Sequence, residues 1–145
     1  MVKRGPMTAV LLLSAHLSLT ALVPAAIGQG PPPWWVGGGL IWPFFLDTNT
    51  LLPAGDLRAM LTPVLGITAG VCLLLAVAAL WRRLIPATWF VPLVVAGAAA
   101  SIVLQIAWLS GWAILPLALD VVLIWSVLRG RATAVGLRGQ SAPLS

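Results

Sequence analysis

Charge is scarce in this sequence. Only 8% of its 145 residues are charged, and three of those are acids: Asp47, Asp56 and Asp120. A soluble domain carries about 25% charged residues, so this chain cannot coat a water-facing surface. Disorder is excluded as well, since it requires low hydrophobicity and high net charge. Cysteine is down to Cys72 alone, which rules out an intramolecular disulfide and a cysteine metal cluster. There is one histidine and no tyrosine. No HExxH, CxxC, P-loop or GxSxG occurs, and a single histidine cannot ligate a haem on both faces. Ser14, His16 and Asp120 are the one Ser–His–acid combination in view, but mid-membrane they lack water access and an oxyanion site. The sequence therefore predicts no catalytic residue, no metal and no cofactor.

What is abundant is apolar surface. Hydrophobic residues make up 61% of the chain and mean hydropathy is +1.07, which points to an integral membrane protein. The net charge of +5 does not indicate nucleic acid, because the basic residues flank long apolar runs. The expected partner is the lipid bilayer. A bilayer core needs about 20 apolar helical residues to cross, and four runs approach that length: 7–27, 61–81, 88–109 and 112–128. The fold class predicted is all-α, an antiparallel four-span bundle in one membrane domain, with an outer loop over 28–60 and a cytoplasmic tail over 129–145. Lys3 and Arg4 precede span one, Arg82 and Arg83 separate spans two and three, and Arg129, Arg131 and Arg138 follow span four. Cytoplasmic loops retain Lys and Arg, so both termini are placed in the cytoplasm. Only Arg58 falls on the other side. Trp81 and Trp89 bracket the inner arginine loop, Trp108 and Trp112 the outer turn, and Trp125 lies near Arg129. All five read as interfacial anchors. The abundance of Ala, Gly, Leu, Pro and Arg suggests a GC-rich bacterial genome, hence a bacterial inner membrane. Span one has a rival reading as a secretory signal ending near Val23-Pro24-Ala25-Ala26, which on cleavage would leave three spans.

The outer segment opens with Pro31-Pro32-Pro33, an extended polyproline path. An aromatic stretch follows, with Trp34, Trp35, Trp42, Phe44 and Phe45. It is too short to span and is predicted to form a surface cap, an outer-face patch for lipid or a partner; a shallow re-entrant hairpin through Gly37–Gly39 is the alternative. Asp56 is placed to cap the helix leading into span two.

Inside the spans, Asp120 is the most informative residue. It lies midway along span four, where a carboxylate costs roughly 2.5–3.5 kcal/mol to insert. His16, at similar depth in span one, is its predicted partner in a buried polar pair, either a packing clamp or a proton-relay or ligand pair. Ser14, Ser18, Ser101 and Gln105 are candidate supporting groups. Pro116 is expected to free a carbonyl and bend span four. Gly66 to Gly70 is a GxxxG and Gly97 to Ser101 its small-residue equivalent, so spans two and three should touch each other or a second copy.

These residues together resemble the small four-helix bacterial membrane proteins grouped as DoxX-like. The resemblance rests on Ala15-His16-Leu17 in span one, the outer loop, Gly55-Asp56-Leu57-Arg58 entering span two, a Trp-flanked span three carrying Ser101, and a polar residue midway along span four. Some relatives carry Asn where Asp120 stands. The resemblance implies a four-span fold and, for some members, attachment to a quinone-reducing complex; it carries over no catalytic residue. The predicted function is that of a non-enzymatic accessory or structural membrane protein, within a larger complex or as a homo-oligomer. The alternatives are a small transporter or ligand-binding bundle using His16 and Asp120, and the membrane subunit of a quinone-linked oxidoreductase.

Overall fold

The computed structural model describes residues 4–22, 51, 56–82, 84–108 and 114–140. These form four long helices and no strand: α1 (Arg4–Leu19), α2 (Asp56–Leu80), α3 (Phe90–Trp108) and α4 (Ile114–Gln140). A 3-10 turn at Thr20–Leu22 extends α1, and another at Ala87–Trp89 leads into α3. Three helices, spanning Arg4–Leu22, Met60–Leu80 and Ala87–Trp108, are long and apolar enough to cross a membrane. They coincide with the first three predicted runs. The aromatic residues of the outer segment, Trp34, Trp35, Trp42, Phe44 and Phe45, lie outside the described residues.

Successive helices run antiparallel, and polar contacts at both ends fix the alignment. At the arginine-bearing end, hereafter the basic end, Trp81 Nε1 donates to Thr8 Oγ1 at 3.0 Å, joining the close of α2 to the start of α1. At the opposite, loop end, Trp108 Nε1 donates to Thr62 Oγ1 at 3.0 Å. Trp108 is thus half-buried and links α3 to α2 as well as marking a boundary. Trp81, Trp89 and Trp125 are exposed, with Arg129 over the Trp125 ring at 4.8 Å, a cation–π contact.

Helices α2 and α3 pack together as expected, but not through the residues expected on α2. The GxxxG of α2 faces α1, not α3. A Cβ on Gly66 would lie 3.0 Å from the Ser18 carbonyl oxygen and 3.3 Å from Ala21 Cβ, and one on Gly70 would collide with the Leu19 side chain. The α2–α3 contact is made instead by Gly97, whose added Cβ would lie 2.8 Å from Leu73 Cγ and 3.1 Å from Cys72 Cβ. Small residues admit close approach wherever they fall, but the motif alone does not name the neighbour.

In α4 the helix outlasts the apolar run: the predicted span ends at Leu128, and the helix continues to Gln140. Helix formation needs backbone hydrogen bonds, not apolarity, and the Arg, Ala and Leu residues beyond Leu128 favour it. Pro116 falls in the first turn of α4, where an N–H has no intrahelical partner to lose, so the expected bend has no cause there.

Between α2 and α3 the chain turns tightly. Arg82 and Leu84 adopt φ of 53° and 63°, the left-handed region usually left to glycine at a helix end. The Arg82 N–H closes α2 by donating to the Ala79 carbonyl at 3.1 Å.

The interior divides along its length. Toward the basic end, Met7, Leu11, Ala15, Leu73, Ala76, Val94, Leu123 and Val127 form one buried apolar cluster. The buried polar side chains, Ser14, Ser18, Thr20, Thr62, Ser101, Gln105 and Asp120, lie from the edge of this cluster toward the loop end, interleaved with buried Leu17, Ala69, Ala98 and Leu104.

Candidate functional site

Helical periodicity selects the face of α1 that turns inward. Met7, Leu11, Ser14, Ala15 and Ser18 are buried, spaced three and four apart as one helix face requires. Leu12, Leu13 and His16 are exposed. His16 stands two residues from both Ser14 and Ser18, about 200° around the helix from each. Depth along the helix therefore matched His16 to Asp120, while rotation about the axis separates them.

The predicted His16–Asp120 pair is accordingly corrected. Asp120 is fully buried, and its partner from α1 is serine: Ser14 Oγ donates to Asp120 Oδ1 at 2.5 Å. Ser101, on α3, faces the same carboxyl group. Ser18 Oγ lies 2.9 Å from the Ser14 carbonyl oxygen and 3.1 Å from Ser101 Oγ. Ser18 has one proton, so it donates to one of these; if that is the carbonyl, Ser101 can donate to Ser18. One turn beyond Ser101, Gln105 is also buried. Of the supporting residues predicted, Ser14, Ser18 and Ser101 thus belong to one cluster with Asp120, and Gln105 sits beside them on the buried face of α3. Thr68 is exposed and bonds to the Val64 carbonyl at 2.7 Å, away from the cluster.

Three atoms of this group have no hydrogen-bond partner: Asp120 Oδ2, Gln105 Oε1 and Gln105 Nε2. Leaving a buried polar atom unpaired costs about 1–3 kcal/mol. A hydrogen bond between membrane helices contributes about 0.6 kcal/mol on average, against roughly 2.5–3.5 kcal/mol for placing a carboxylate at a helix centre. Bonds of this size from Ser14 and Ser101 together fall short of that cost for an ionised Asp120. Cations offer no compensation within the described residues, where Arg4, Arg82 and Arg129 are all exposed toward the basic end.

Chemically, the cluster offers one carboxyl, three hydroxyls and an amide. No group of three or more His, Cys, Asp or Glu side chains is gathered among the described residues. Sequence reasoning missed the primacy of Ser14; the signal was present in the four-residue spacing of Ser14 and Ser18, in phase with Met7 and Leu11. It missed the Trp108–Thr62 link for want of any cue to helix rotation. No family model matches the chain, and neither a curated protein nor a solved structure matches it.

Proposed function

We propose that this chain is a small multi-pass protein of the bacterial inner membrane, with four spans and both termini cytoplasmic, acting as a ligand-binding bundle and not as a bond-breaking enzyme. The observation that carries this reading is the set of three unpaired, fully buried polar atoms on Asp120 and Gln105. A clamp that only held helices together would be better served by closed hydrogen bonds or by apolar residues. An open polar set is the chemistry of a site that receives something. A fourth span is supported by α4, whose first half is apolar apart from Asp120. The DoxX-like resemblance supports the same four-span arrangement.

The test is stability in the presence of candidate small polar solutes, using the full-length protein in detergent. A binding solute raises the unfolding temperature of the wild type and not of Asp120→Asn. If no solute distinguishes the two proteins, the cluster is a packing device and the binding reading is wrong.

The accessory-subunit reading has one observation of its own. His16 presents an imidazole on the outward face of α1 at mid-depth, where facing lipid is unfavourable and facing another protein is not. Extraction from native membranes in a mild detergent decides this: a heavier complex that His16→Leu disrupts supports it, and an unaltered monomer excludes it.

A further inference from the structure

Resting on the ligand-binding reading, we infer that the Asp120 cluster is a site for one small monovalent cation of the sodium class, entered from the loop end. Four features lead there. When ionised, Asp120 bears a single negative charge, and the described cations Arg4, Arg82 and Arg129 are exposed toward the basic end, so a guest of charge +1 would balance it. The groups gathered are hard oxygens, the Asp120 carboxyl and the hydroxyls of Ser14, Ser18 and Ser101, with the buried Gln105 amide one helical turn beyond Ser101. Hard cations take oxygen ligands, and calcium sites generally draw on several carboxylates, of which the described interior has one. Transition metals prefer imidazole or thiolate, and no such set is gathered among the described residues.

Size points the same way. Asp120 and Gln105 are 0% and 1% exposed, and Leu104, Leu123 and Pro116 beside them in sequence are fully buried as well. Packing this close suits an ion more than an organic solute. The route is set by the division of the interior. The apolar cluster from Met7 to Val127 closes the basic end to ions, whereas toward the loop end Ser18, Thr20, Thr62 and Gln105 are buried among Leu17, Ala69 and Leu104, which makes that side the less apolar approach. The cluster is therefore a blind site, not a segment of a continuous pore.

The experiment is thermal unfolding of the full-length protein in detergent, in sodium, lithium, potassium or choline chloride at one ionic strength and pH. Sodium is expected to raise the unfolding temperature saturably over choline, by about 2–4 °C at concentrations well above its dissociation constant. Asp120→Asn should abolish that shift. Should it fail to fold, Ser101→Ala serves instead, and it should move the sodium midpoint to higher concentration. Equal unfolding temperatures in all four salts overturn the cation assignment, as does a sodium shift that survives in Asp120→Asn. If another solute stabilises the wild type through Asp120 while sodium does not, the cation assignment falls and the ligand-binding reading stands. If nothing acts through Asp120, both fall. In sealed vesicles of known sidedness, tryptophan fluorescence should respond to sodium added at the loop end alone; a response from the basic end overturns the entry route.

Discussion

Asp120 and Gln105 respond to substitution differently because one is partly paired and the other is not. Asp120→Leu removes the acceptor of the Ser14 hydroxyl and strands it in the interior, which should cost about 1–3 kcal/mol. Asp120→Asn keeps an acceptor for Ser14 and should change basal stability by less than about 1 kcal/mol. Gln105→Leu deletes two unpaired polar atoms in favour of an apolar group of similar size, so it should raise basal stability by about 1 kcal/mol while weakening any solute-dependent gain. Unfolding in detergent at fixed salt measures all three, and a destabilised Gln105→Leu would show that the amide has partners in the folded protein. At this scale the sequence exposed the position of each polar residue along its helix but not its direction. His16 drew notice as the one histidine, whereas Ser14, an unremarkable residue type, occupied the inward face. In an apolar helix the few polar positions carry the phase, and Ser14 with Ser18 gave it.

Helices α1 and α2 meet through glycine, so size is critical there. Gly70→Val forces its side chain into Leu19 and should cost about 1–3 kcal/mol. Gly130→Val, where an added Cβ meets nothing within 4 Å, should stay within about 0.5 kcal/mol. Equal effects would refute the packing of α1 on α2. In the α2–α3 turn the left-handed Leu84 side chain is fully exposed. Leu84→Gly relieves a backbone conformation costing roughly 1–2 kcal/mol and should stabilise the fold, as unfolding temperature will show. Element positions were legible because each span is a long apolar run bounded by arginine or tryptophan. Where α4 stops was not legible, because hydropathy reports the membrane edge and hydrogen bonding reports the helix end. Nor did a GxxxG disclose which helix it meets.

For the molecule as a whole, seven of the eight cations fall to one side under the four-span arrangement. Reporter fusions at Ser145 and near Asn49 should give cytoplasmic and extracytoplasmic signals respectively; an extracytoplasmic Ser145 would break the arrangement. Membrane character was legible from composition, and the all-helical class from apolar runs of helical-span length, which three of the described helices match. The lengthwise division of the interior was not legible, because it depends on how four helices align and rotate together. That division also has an electrical consequence. A membrane voltage falls mainly across the least polarisable layer, which is the apolar half from Met7 and Leu11 to Phe90 and Val127. A charge moved through the full potential changes in energy by about 2.3 kcal/mol per 100 mV, but a cation that entered from the loop end and halted at Asp120 would traverse only the less apolar half. Occupancy of the proposed site would then respond weakly to voltage and follow ion concentration on one side of the membrane more than the field across it.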